Sequence, residues 1–204
     1  MLFHTDAVQA LGHVDVDVQK LGIDMLSASA HKFNGPKGVG FLYVRKGVSL
    51  QPYSDGGAQE FGMRAGTESI ASIVGMAIAL QRNVESMAQS QKHIIALEKM
   101  LLCKLEGYGI PYIRNGGRNM LPGIISLSFD GKDGEAILHR MDLMGIAIST
   151  GSACDSKNTE ISHVLQALRM PSSLAKGTIR ISLGKDNTEE DVNAIAVALK
   201  KILL

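Results

Sequence analysis

Three side chains, widely separated along the chain, have the types and settings for covalent chemistry. Lys32 lies in Ser-Ala-Ser-Ala-His-Lys-Phe-Asn-Gly-Pro-Lys-Gly (residues 27–38), after an apolar, strand-like run and before a Gly-Pro turn. That setting places an amine at the rim of a sheet, where it can be desolvated and used as a nucleophile toward a carbonyl. Asp6 lies in His-Thr-Asp-Ala-Val-Gln (residues 4–9), an acid within an apolar β-like run. A buried carboxylate requires a cationic partner, and a protonated pyridine nitrogen is one candidate; capping of the next helix is the other. Cys154 lies in Ser-Thr-Gly-Ser-Ala-Cys-Asp-Ser (residues 149–156), a composition that suits an exposed, mobile loop. A reactive thiol requires such exposure, although an incidental surface cysteine would have the same neighbours.

Amine, acid and thiol together point to pyridoxal-phosphate chemistry on a sulfur substrate. Two further segments fit an anionic ligand. Gly-Met-Arg-Ala-Gly-Thr-Glu-Ser (residues 62–69) precedes a long helical pattern, where backbone N–H groups can hold phosphate, although Thr67 could simply cap that helix. Arg180 stands in Thr-Ile-Arg-Ile-Ser (residues 178–182), inside a strand of Ile, Thr and Ser. Arginine clamps carboxylates in bidentate fashion and is rarely buried unpaired; a salt bridge on a half-exposed strand is the plainer alternative. Cys103, in Met-Leu-Leu-Cys (residues 100–103) on an amphipathic helical stretch, is expected to be core filler.

These groups need a scaffold, and 204 residues suffice for one large domain or two small ones with a real core. Lys and Arg total 21 against 20 Asp and Glu, with no basic run, so a nucleic-acid footprint is missing. Small-molecule or protein partners are favoured. Two distant cysteines make no disulfide framework, no secretory or transit segment is recognised, and the apolar runs are too short for a bilayer. A soluble cytoplasmic protein with reduced thiols is expected. His4, His13, His31, His93, His139 and His163 show no metal-ligand spacing beside the cysteines, so no metal site is expected.

The pattern predicts strands over residues 1–6, 23–29 and 38–45, with a short helix and loop over 7–21. Residues 68–105 read as one or two long helices, from Ile70, Ile73, Val74, Ala77 and Leu80 to Ile94, Leu97, Leu101 and Leu105. A separate α/β unit follows: strand 124–129, helix 134–144, strand 146–150, helix 161–169, strand 177–183 and a closing helix 188–203. Thr188 is the expected N-cap of that last helix, with Glu189, Glu190 and Asp191 opposing its dipole. Domains are expected at 1–85 and 86–204. A strand at the very start of the chain would lack the earlier neighbours that a parallel sheet normally supplies.

In order along the chain, the segments at 4–9, 29–38, 56–69, 151–156 and 179–184 closely resemble the class V aminotransferase-like cysteine desulfurases of the NifS/IscS type. The Gly-Ser-Ala-Cys setting is similar to the long-loop group of that family. The resemblance implies an α/β, fold type I pyridoxal-phosphate transferase architecture: a remnant of the large-domain sheet, a long connecting helix and a small C-terminal α/β domain. It implies that Lys32 bonds pyridoxal 5'-phosphate, that Asp6 pairs with the pyridinium nitrogen, and that Gln9 hydrogen-bonds the phenolic oxygen. Ser29 and His31 would bind the phosphate, with Thr67 reaching the phosphate site of a dimer mate. Arg180 would take the carboxylate of L-cysteine, and Cys154 would accept its sulfur as a persulfide, leaving alanine.

The resemblance covers only the second half of that family. The other half would contribute a phosphate loop, a ring-stacking histidine and a carboxylate-binding asparagine. Its expected partners are a homodimer mate and a sulfur acceptor such as an iron–sulfur scaffold protein. Two alternatives stay open: a catalytically incompetent fragment or interaction domain of the family, and another class V enzyme such as a selenocysteine lyase or an aminotransferase.

Overall fold

The computed structural model describes residues 1–117, 119–150 and 161–204. It divides into two compact units, Met1–Ala88 and Gln89–Leu204.

The first unit holds a three-stranded sheet in the order β1 (His4–Asp6), β2 (Met25–Ser29), β3 (Gly40–Val44). β1 runs parallel to β2, with Asp6 opposite Ser27, whereas β3 is antiparallel to β2. β1 is shorter than the pattern at 1–6 suggests, and Leu2 and Phe3 are exposed. The short helix expected within 7–21 does not form: the segment is a series of turns with a bridge between Leu11 and Val14. Its run Val-Asp-Val-Asp-Val (residues 14–18) alternates β-branched residues with aspartates that favour local turn bonds, both poor helix formers. Asp17 shows the competing bond, accepting N–H bonds from Gln19 and Lys20. A small core of Ala7, Ile23, Leu26, Ala28, Ala30 and Phe33 closes on Met76, Ala79 and Leu80.

The long apolar pattern is one helix, α1 (Ile70–Gly107), which contributes residues to both units. Its faces fare differently. Ile94, Leu97, Leu101 and Leu105 are buried as their spacing predicts, but Ile70 and Val74 are 65% and 50% exposed.

The second unit is a four-stranded sheet in the order β4 (Ile113–Arg114), β5 (Ile124–Ser128), β7 (Thr178–Ser182), β6 (Ser149–Thr150), with antiparallel neighbours throughout. Alternation along the strands sends Ile125, Leu127, Ile179 and Ile181 into one core, shared with α1, α2 (Gly134–Asp142) and α5 (Glu189–Leu203). The short helices α3 (His163–Ala167) and α4 (Ser172–Lys176) complete the unit. The two-residue β4 and the five-residue α4 carry too few patterned residues to be legible in the sequence.

Two polar devices tie this unit together. Glu98 on α1 is buried; it pairs with Arg114 and accepts the Gly123 N–H at 3.0 Å. Gly123 has φ +84°, and a Cβ there would lie 2.5 Å from the Leu183 carbonyl oxygen, so the close turn requires glycine. α5 starts as expected at Thr188, in a capping box completed by Asp191. At its other end, Lys132 donates to the Leu203 carbonyl, and Arg140 to those of Ile202 and Lys201. Cations thereby meet the negative end of the helix dipole.

Candidate functional site

The Lys32 turn is the most tightly specified polar feature of the first unit. β2 ends at Ser29, and a 3-10 turn at Ala30–Phe33 follows at once, closed by Asn34 at φ +66° and a Gly35 N–H bond to the Ala30 carbonyl at 2.8 Å. Ala30 and Phe33 are fully buried and anchor the turn, leaving Lys32 half-buried at the rim of the sheet. Two side chains hold its carbonyls. His13 Nε2 donates to the Lys32 carbonyl at 2.7 Å, and buried Asn83 donates to the Phe33 carbonyl at 2.6 Å. Gly12 lies directly against the turn, where a Cβ would stand 3.1 Å from Cβ of Phe33. No salt bridge engages the Lys32 amine among the described residues.

Beside it, Ser29 Oγ and His31 Nδ1 lie 2.8 Å apart. Because β1 and β2 are parallel, their carboxyl ends share one edge of the sheet, and Asp6 and Ser29 are the two terminal residues there. Crevices outside the carboxyl ends of parallel strands are the usual ligand positions in α/β folds. Asp6, Gln9, Ser29, His31 and Lys32 are thus gathered at one end of the first sheet.

The expectation of a buried Asp6 is corrected, since the residue is exposed. Its Oδ1 accepts the Val8 N–H at 3.0 Å, so the carboxylate caps the following turn, although no helix follows. It needs no buried cation, because β1 is an edge strand open to solvent. Gln9 and Thr67 are exposed, Thr67 in the irregular segment ahead of α1. Cys103 is also corrected: it is exposed on α1, because the buried stripe passes through Leu101 and Leu105. Cys154 lies outside the described residues.

Arg180 is where its pattern puts it, on β7 in the second unit, half-buried. Ser126 stands opposite it on β5 and Ser149 on β6. Its guanidinium has no hydrogen-bond or ion-pair partner among the described residues. No group of His, Cys, Asp and Glu able to hold a metal occurs among them either. No helix among them is long and apolar enough to cross a membrane.

The sequence reading missed His13 and Asn83. His13 carries no signal beyond its type. Asn83 does: it follows Met76, Ala79 and Leu80 at helical spacing, and a polar residue continuing an apolar stripe implies a buried bond.

Residues 1–195 match the model of the aminotransferase class-V family, and the chain belongs to that family. It is 46% identical over 202 residues to the cysteine desulfurase IscS of Dictyoglomus turgidum, a match covering 98% of this chain and 51% of the relative. A solved NifS-like protein superposes with TM-score 0.88 at 39% identity, over 99% of this chain and 52% of that one. A NifS-like protein from Rickettsia africae gives TM-score 0.89 at 30% identity, over 98% and 53% respectively. The fold is therefore the α/β fold of the NifS-like proteins, and the chain spans about half the length of the curated relatives it matches.

Proposed function

We propose that this chain carries the lysine, acid and thiol of a pyridoxal-phosphate-dependent cysteine desulfurase. The observation that carries the proposal is the Lys32 amine, presented on a doubly clamped turn at the carboxyl end of parallel strands. The donor set at that edge fits the cofactor. Asp6 Oδ1 is taken by the Val8 N–H, which leaves the other carboxylate oxygen for a pyridinium N–H. Ser29 and His31 are close enough to share a phosphate, and Gln9 lies on the turn that follows Asp6. Bound there, the cofactor would supply an electron sink for the substrate carbon that loses sulfur.

The remaining chemistry belongs to the chain itself. Arg180 would hold the carboxylate of L-cysteine. The Cys154 thiolate would attack the substrate sulfur, forming an S–S bond as the C–S bond breaks, so that cysteine and a thiol become alanine and a persulfide. The sulfur would then pass to an acceptor protein such as an iron–sulfur scaffold. In this reading residues 1–85 are the remnant of the cofactor-binding domain and 86–204 the small domain, in a cytoplasmic homodimer with Thr67 serving the mate. A second reading, a catalytically incompetent fragment, draws support from the exposure of Asp6, Gln9 and His31.

Borohydride reduction of the chain mixed with pyridoxal phosphate separates the two. A reduced adduct mapped to Lys32 and lost in Lys32→Ala is expected, together with alanine and sulfide release that Cys154→Ala abolishes. No adduct with excess cofactor would overturn the enzymatic proposal. An adduct without turnover would leave the second reading.

A further inference from the structure

The face of the second sheet opposite the apolar core carries a connected line of hydroxyls and one amide, and it runs to Arg180. Asn115, just after β4, donates from Nδ2 to Ser126 Oγ at 3.0 Å and to Ser128 Oγ at 2.8 Å. Ser128 Oγ lies 2.6 Å from Thr178 Oγ1, and Thr178 donates to the Leu174 carbonyl at 3.0 Å. Each hydroxyl has a single proton, so the direction of the whole chain follows.

Thr178 spends its proton on the Leu174 carbonyl, a far stronger acceptor than the Met170 sulfur that also lies nearby. Ser128 must then donate to Thr178. Having no proton left, Ser128 can only accept from Asn115, which fixes the amide with its nitrogen toward both serines. Its Oδ1 is left buried without a partner, the cost of that orientation. Ser126 therefore accepts from Asn115 on the β4 side, and its own proton has no acceptor among the described residues. On the other side of β5 lies β7, where Arg180 stands directly opposite Ser126. Directly opposed residues of antiparallel strands have Cβ atoms about 5 Å apart on the same face.

We infer that Ser126 is a second donor to the carboxylate of the amino-acid substrate, beside Arg180, and that Asn115 is the positioning residue that turns the Ser126 hydroxyl toward that ligand. The inference rests on Arg180 being the carboxylate clamp. An anion seated on the guanidinium receives one further O–H bond, from a donor oriented before the ligand arrives.

The test is a titration of the isotope-labelled 204-residue chain with L-alanine, followed through the amide signals of Ser126 and Arg180. L-alaninamide, which lacks the carboxylate, is the control probe. Ser126→Ala should weaken L-alanine binding about tenfold, the scale of one hydrogen bond to a charged group, and Ser126→Thr should restore it. Asn115→Asp offers an acceptor in place of the donor and recaptures the hydroxyl proton, so it should weaken binding as much as Ser126→Ala. A purely structural Asn115 would instead change thermal stability and leave the ratio of alanine to alaninamide affinity unmoved. If Arg180→Ala abolishes binding while folded Ser126→Ala binds as the parent does, the inference fails and the clamp stands. If L-alanine leaves both signals of the parent chain unmoved, or Arg180→Ala binds normally, the clamp itself fails and the inference with it.

Discussion

At the residue scale, the buried amide of Asn83 does more for the Lys32 turn than any residue legible as chemical in the sequence. It donates to the Phe33 carbonyl and to the Ala79 carbonyl one turn back on its own helix. Asn83→Ala leaves the Phe33 carbonyl buried and unpaired, and should cost about 1–3 kcal/mol. Urea denaturation measures this, and an unchanged midpoint would show that the turn holds without the clamp. Tyr112 is a second sharp case. Burial, and then the hydrogen bond its hydroxyl donates to Glu106 at 3.0 Å, push its pKa up to about 12. Since the folded value exceeds the ordinary 10.0, the neutral phenol stabilises the fold fully below that pH and the contribution is lost as pH rises through about 12. An ultraviolet titration should find Tyr112 ionising above the ordinary 10.0, and Glu106→Gln should bring it down. The rim position of Lys32 and the strand position of Arg180 were legible by type and setting, whereas Asp6 was misjudged because an apolar neighbourhood in sequence need not be a buried one.

At the scale of elements, α5 shows why some structure can be read directly and some cannot. Its cap, acidic first turn and apolar stripe all agree, so local and tertiary preferences coincide over fifteen residues. Thr188→Ala should cost about 1 kcal/mol. Asp191 adds a pH signature: bonds from the Thr188 N–H and then from Asn187 hold its carboxyl below the ordinary 3.8. A depressed value means that its contribution is full above 3.8 and fades as pH falls through the folded value. Asp191→Asn should therefore shallow the acid limb of the stability curve, and an identical limb would count against the capping box. The 7–21 segment is the opposite case. Its apolar residues suggested a helix, but the side-chain bonds of Asp17 to the backbone favour a turn there instead.

At the scale of the whole molecule, the apolar balance is uneven between the units. Ile70, Val74 and Ile78, spaced four apart on α1, remain at the surface of the first unit, as do Leu2, Phe3 and Leu42. The folded chain should bind a hydrophobic probe dye, and replacing Val74 and Ile78 by lysine should lower that fluorescence. Equal signal from the two proteins would place the apolar surface elsewhere. Periodicity located α1 but could not say which of its stripes would find a partner, because that depends on everything packed around it. The turn at Asn34 has a consequence of another kind. Asparagine followed by glycine is prone to lose ammonia when the next backbone nitrogen attacks the side-chain amide, and water then opens the ring to aspartate or isoaspartate. Here the Gly35 nitrogen is engaged with the Ala30 carbonyl and the backbone is locked at φ +66°, so the native molecule resists this ageing. Deamidated material accumulating on storage would come from chains whose Lys32 turn has opened, a chemical clock set beside that lysine.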